Sequence, residues 1–533
     1  MTRVPRWSSL ATCAALTLLA ASLLCPLGAL LLRYPPEAMG ALWRDDYLRA
    51  VVRFTLWQAF LSAVLSLLPA IWIARALARR TAFGGRALLL ALLGLPIVLP
   101  PVVAVFAITA AYGHNGALNQ VLPLLALPRL GDLYGLTGIM LAHVFFNMPL
   151  AVRWLLPLWE RIPGEHWRLA AQLDMPGWTC FRVIEWPAIR GMLPGLAALI
   201  FLLCSASFAV VLTLGGGPAA TTLPVALYQS LCMDGDFPTA TRLAVLQIAL
   251  CLGVLLIVPW RATAATEPQR GVQPVPRHDA HTAVARVTDG VAIVSAALYV
   301  GLPVFAALAE GLRGRWWQVL QGNEVWPVWS SSIGIACGSA SLALLMGLPL
   351  SASASRLNTR RRQWLQLFGL LGLAVPTVVL GTGWFIVLQG NIGPWGSALI
   401  MVSNGVMCVP YVLKMMVPAW SVLQAQYGPL KAQLGLSERV WWLSVLWPLS
   451  RKALGTALAV SLCISLGDLG VVAIFGDQSN VTTLPLLLQR QMSEYRYGDA
   501  AVTSMILVLT IGATFAVCDG LLGGRRGRSS SSF

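Results

Sequence analysis

Long apolar runs, separated by short polar stretches, set the pattern of this 533-residue chain. Twelve such runs lie near 10–32, 54–76, 87–112, 136–158, 191–214, 240–260, 289–311, 329–354, 364–388, 396–420, 453–475 and 500–523. A helix needs roughly 20 apolar residues to cross the hydrocarbon of a bilayer. Backbone groups in lipid must be satisfied within the segment, and barrel strands would instead alternate over about 10 residues. The pattern therefore predicts twelve transmembrane helices in an all-α integral membrane protein. The first run follows Arg3 and Arg6 and exceeds a signal-peptide apolar region, so it reads as a retained first helix.

The polar stretches orient these helices. Arg75, Arg79, Arg80 and Arg86 follow the second run, Arg356, Arg360, Arg361 and Arg362 follow the eighth, and Arg525, Arg526 and Arg528 end the chain. The stretch between the third and fourth runs has only Arg129, and that between the ninth and tenth has no Lys or Arg. By the positive-inside rule both termini lie in the cytoplasm. Residues 35–53 fit less well, their arginines being mixed with Glu37, Asp45 and Asp46. Residues 262–284 are polar and carry proline, which marks a cytoplasmic linker between residues 1–261 and 285–533.

Composition agrees with lipid as the solvent. The chain is 57% hydrophobic and 11% charged, with mean hydropathy +0.73, against about 25% charged residues in soluble domains. The net charge of +16 sits in the short connecting stretches, so it points to membrane topology and not to nucleic acid. Of ten cysteines, eight lie in apolar runs and none forms a CxxC pair. Five scattered histidines make no metal cluster, and no Gly-Lys-Ser or Gly-Lys-Thr is present to form a phosphate-binding loop. Nothing pairs a nucleophile with a base. The chain is expected to do no covalent chemistry and to hold no cofactor of its own.

The two halves echo each other. AQL recurs at 171–173 and 432–434, Trp-Pro at 186–187 and 447–448, Thr-Thr-Leu-Pro at 221–224 and 482–485, and Pro149 answers Pro410, each at 434 − 173 = 261 residues. Four features at one offset indicate duplication. Upstream the register slips: Pro376 − Pro100 gives 276, placing about 15 extra residues around 114–133 of the first half. An even number of spans per copy keeps both copies in one orientation, with a pseudo-twofold axis along the membrane normal.

The most informative stretches are 164–195 and 427–455, on the cytoplasmic side between the fourth and fifth spans of each half. Each predicts a short helix, a turn, an amphipathic stretch and a proline where the next span begins. Both resemble the EAA loop of bacterial ABC-importer permeases, E-A-A-x-x-L-G with a proline thirteen residues after the glycine. Leu434, Gly435 and Pro448 fit, since 448 − 435 = 13. Leu173 and Pro187 fit too, with Asp174 in place of the glycine, a residue that tolerates left-handed geometry better than most. Arg168 and Pro429 stand where the glutamate would be, and Ala170, Ala171, Lys431 and Ala432 complete the two loops.

The segments AHVFFNMP (142–149), IPGEHWRLAAQL (162–173), LTLGGGPAATTLPVALYQSL (212–231) and SLGDLGVVAIFG (465–476) resemble the fused two-lobed permeases of bacterial ABC importers for thiamine and its pyrophosphate. The resemblance covers nearly the whole chain. It implies a type I importer fold in the bacterial inner membrane and import of thiamine from a periplasmic binding protein. It also implies a homodimeric ATPase that binds ATP and Mg and docks on the two loops, where Arg168, Arg182, Arg190, Lys431 and Arg439 could pair with acidic groove residues. Fused permeases for ferric iron share the layout, so another small cation stays open as cargo. An ion-coupled secondary transporter is the alternative of another class; it would not account for two matched cytoplasmic loops.

Charges within spans are candidates for a transport pathway. Asp468 is one, and Ser207 is its counterpart at offset 261. The competing reading of Asp468 is a cap on a helix break between Gly467 and Gly470. His143 and Asn147, one helical turn apart, could face a substrate or bond a neighbouring helix. Tyr228, Gln229, Gln489 and Arg490 are placed in the outer loops, as candidate contacts for the binding protein.

Overall fold

The computed structural model describes residues 6–33, 45–257, 277–357, 375–388, 393–479 and 481–522, with positions 362, 365, 369 and 372 between. Helix accounts for nearly all regular structure among them. The first half contains α1 (Arg6–Arg33), α2 (Asp46–Arg79), α3 (Pro101–Tyr112), α4 (Leu136–Glu160), α5 (Gly164–Gln172), α6 (Leu193–Ser205), α7 (Ala209–Leu214), α8 (Leu223–Cys232) and α9 (Phe237–Ile257). The second contains α10 (Ala283–Arg313), α11 (Val325–Arg356), α12 (Thr377–Val387), α13 (Gly396–Gln433), α14 (Trp447–Gly467), α15 (Gly470–Ser479), α16 (Leu484–Ser493) and α17 (Tyr497–Leu522).

Among the described residues ten helices are long and apolar enough to cross a membrane, or eleven if one bent pair counts as a span. The difference from twelve unbroken helices has local causes. The run at 87–112 is interrupted before Pro100, which cannot donate to a helical ladder; α3 begins just after it. Pro376 heads α12 in the same way, while much of 364–374 lies outside the described residues. The runs at 191–214 and 453–475 break at 206–208 and 468–469. The Thr-Thr-Leu-Pro stretches are not outer loops. They open the short helices α8 and α16, each mostly buried. The first free amide of each takes a hydroxyl from the second helix of its own half: Leu223 N donates to Thr55 Oγ1 at 3.0 Å, Leu484 N to Ser332 Oγ at 2.8 Å.

Each half is built on one long helix pair running in the same direction, α2 with α4 and α11 with α13: Gly338 meets Met401, Gly347 meets Val412 and Ser355 Oγ accepts from Gln424. The first helix of each half packs on the other. α1 lies along α11 and α12, with Thr12 Oγ1 2.6 Å from Ser353 Oγ and Pro26 closely against the Gly383 backbone. α10 lies along α2 and α3, and Tyr299 Oη donates to the Leu141 carbonyl at 2.8 Å. The linker also differs from a free connector. Residues 262–276 lie outside the described residues, but 277–282 form a docked turn leading into α10, whose N-terminus Thr282 caps.

Candidate functional site: the paired cytoplasmic loops

In the first loop α5 begins after Pro163, and its last turn closes as a Schellman motif. Met175 N donates to Ala170 O at 3.0 Å and Asp174 N to Ala171 O at 3.2 Å. In the second, Leu436 N donates to Lys431 O at 3.2 Å and Gly435 N to Ala432 O at 3.4 Å. The left-handed residue is Asp174 (φ +46°) in one and Gly435 (φ +57°) in the other. Here the loop glycine and its aspartate counterpart have the same conformational task, and the carbonyls of residues 170, 171, 431 and 432 are the acceptors that close the turns. Beyond each turn the backbone widens to π geometry, at Phe181–Glu185 and Trp441–Leu446, just before Pro187 and Pro448. A proline cannot donate to the carbonyl four residues back, and a wider ladder accommodates that gap.

The loops differ in how they join their spans. A separate short helix exists only in the first copy. In the second, α13 runs without a break from Gly396 to Gln433. Pro163 ends the helical path in the first copy by removing an amide and restricting Ile162; its counterpart at offset 261 is Gln424, which keeps its amide.

Each turn leaves one leucine outward. Leu173 and Leu434 are both 62% exposed, and Leu169, Trp178, Leu430 and Leu443 are exposed beside them. Arg168, Arg182, Arg190 and Arg439 are also exposed, whereas Lys431 is bonded within the chain to Glu438, which Arg356 Nη2 holds at 3.0 Å.

A buried ionic cluster behind the first loop escaped the sequence reading. Glu185 is fully buried; Arg75 Nε donates to it at 2.5 Å, and Arg277 donates to its other oxygen. Arg79 Nη2 lies 2.7 Å from Asp279 Oδ2, and Arg80 Nε 3.0 Å from Asp289 Oδ2. The Arg277 guanidinium stacks 3.7 Å above the centroid of the Trp167 ring. Burial alone would raise the Asp279 carboxyl, but hydrogen bonds and charge from Arg277, backed by Arg79 and Arg75, hold it below the ordinary carboxylate value. The only sequence signal was a carboxylate at Glu185 set between apolar Val183-Ile184 and Trp186-Pro187.

The pathway candidates separate. His143 and Asn147 are buried inside the first half. Ser62 Oγ lies 2.9 Å from His143 Nδ1, and Asn147 Nδ2 donates to His143 O (2.8 Å) and Cys204 Sγ (3.2 Å). Ser207 and Asp468 occupy the equivalent helix breaks. Asp468 accepts from Gly470 N and Val471 N at 3.3 Å each, so it caps α15, and the neighbouring Gly467 packs against Pro100 of the first half. Tyr228, Gln229, Gln489 and Arg490 lie near the C-terminal ends of α8 and α16, partly buried instead of in open loops; Tyr228 packs edge-on to Phe208 at 5.3 Å.

Two pseudo-equivalent helical halves with matched loops on one side define a two-lobed membrane permease. No protein-family model matches the chain. Over 526 residues it is 41% identical to the thiamine transport system permease protein of Salmonella typhimurium, covering 98% of this chain and 97% of the relative. Its counterparts in Brucella abortus and Haemophilus influenzae are 41% identical over 480 residues (89% and 88% covered) and 35% over 487 residues (89% of each). The chain belongs to the family of thiamine transport system permease proteins. It is a multi-pass inner-membrane protein, and its relatives are transport permeases.

Proposed function

We propose that this chain moves thiamine and its phosphates across the bacterial inner membrane as the permease subunit of an ABC importer. A periplasmic binding protein delivers the cargo, and a separate homodimeric ATPase that holds ATP and Mg drives alternating access. Both termini face the cytoplasm, and residues 1–261 and 285–533 are the two repeats. The observation that carries this reading is the pair of Schellman turns that present Leu173 and Leu434 with equal exposure, one for each copy of a symmetric partner. The relatives, which are thiamine transport permeases, support the cargo.

The test is uptake of labelled thiamine in cells lacking their own thiamine importer, with this chain, an ATPase and a binding protein co-expressed. Uptake that needs all three and is blocked by thiamine compounds but not by ferric iron supports the reading. Absence of uptake from an assembled complex overturns the cargo.

A further inference from the structure

The two loops solve one electrostatic problem differently. At the end of α11, Arg356 points at the second loop, where Glu438 receives it together with Lys431. Arg79 occupies the same place at the end of α2: 356 − 79 = 277, the offset that also relates Thr55 to Ser332. The loop positions that should receive it, at offset 261 from Glu438 and Lys431, are Gly177 and Ala170, so the first loop has neither the acid nor its second cation. Arg79 is nevertheless buried and paired: Asp279 reaches in from the inter-repeat segment at 2.7 Å, and Asp289 of α10 lies behind it at 3.4 Å. A Cβ placed on Gly177 would lie 3.4 Å from Arg79 Nη2 and 3.8 Å from the Asp279 Cβ. The incoming carboxylate therefore sits beside the point from which a loop side chain would start.

We infer that the segment joining the two repeats is a working part of the first loop, and that Asp279 is a positioning residue supplying the carboxylate that position 177 lacks. The segment grips the loop at three further points: Arg277 on Trp167 of α5, His278 Nε2 2.8 Å from Asp174 at the turn, and Arg277 on Glu185 beyond it. It leads directly into α10, and Arg80 bonds both Ala280 O (2.6 Å) and Asp289 of that helix. A force applied to the first loop thus passes to the first helix of the second repeat. That consequence for coupling rests on the function proposed above; the clamp itself does not.

The test is hydrogen–deuterium exchange on the purified full-length chain, which needs no ATPase, binding protein or cargo. Asp279→Ala leaves buried Arg79 only its longer 3.4 Å contact to Asp289 of α10 and none to a carboxylate beside the loop, and exchange across 164–182 is expected to quicken about tenfold or more, with 425–443 unchanged. The double variant Gly177→Glu/Asp279→Ala restores slow exchange, because the loop then carries its own acid as the second one does. Unchanged exchange in Asp279→Ala overturns the inference, as does a quickening that Gly177→Glu fails to reverse. If Asp279→Ala does not accumulate in the membrane, recovery of its level by Gly177→Glu supports the substitution and failure to recover overturns it.

Discussion

Leu173 and Leu434 offer the sharpest perturbation. Burying a leucine fully is worth about 1.5–3 kcal/mol. Both are 62% exposed, so about 1–2 kcal/mol per leucine remains to be gained when a partner covers them. Alanine keeps the backbone turn and removes most of that gain. The double variant Leu173→Ala/Leu434→Ala should therefore bind the ATPase about 2–3 kcal/mol more weakly, or ~30–150-fold in Kd. Neither side chain supports the isolated fold, and the variant should unfold within about 0.5 kcal/mol of the parent. The assay is ATPase titration onto the permease in nanodiscs, read by light scattering, with thiamine uptake followed in parallel. Unchanged affinity at a normal membrane level would refute the view that these turns are the docking points.

Other residues give separate tests. Thr55→Val and Ser332→Ala each orphan a buried amide at the start of α8 or α16, costing about 1–3 kcal/mol in thermal unfolding of the purified chain. Gly435→Val forces a β-branched residue into left-handed geometry and should cost about 1–2 kcal/mol, while Asp174→Gly relieves that geometry and should be neutral or mildly stabilising by the same measurement. The depressed Asp279 carboxyl sets a pH window. Its contribution is complete above the ordinary carboxylate range and is lost only as pH falls through the lowered value, so protection of 164–182, taken relative to the intrinsic exchange rate at each pH, should hold at neutral pH and fall in acid.

The sequence showed the signals that are local. Apolar run length located most of the spans, and motifs at a fixed offset revealed the duplication. The Leu-Gly and Leu-Asp pairs located the two turns, because left-handed geometry leaves its mark on residue choice. The break at 206–208 was hidden because apolar composition continues through it, whereas that at 468–469 was legible in Asp468 between Gly467 and Gly470, a carboxylate that caps the next helix. Thr-Thr-Leu-Pro read as loop because its buried role depends on hydroxyls more than 150 residues away in sequence. Glu185 was invisible as the hub of a cluster for the same reason: Arg75 and Arg277 lie 110 and 92 residues from it. Periodicity tells which face of α1 or α10 is buried, never which half buries it.

The exchanged first helices carry a consequence for synthesis. Pro26 of α1 rests on Gly383 of α12, 383 − 26 = 357 residues later. At ~5–20 residues/s, that partner leaves the ribosome ~20–70 s after α1 does. Through that interval α1 waits in the bilayer with its small and hydroxyl-bearing face, Thr12 included, turned to lipid. A ribosome that stalls before α12 leaves a helix with nowhere to settle, a mark by which membrane quality control can tell an unfinished chain from a finished one.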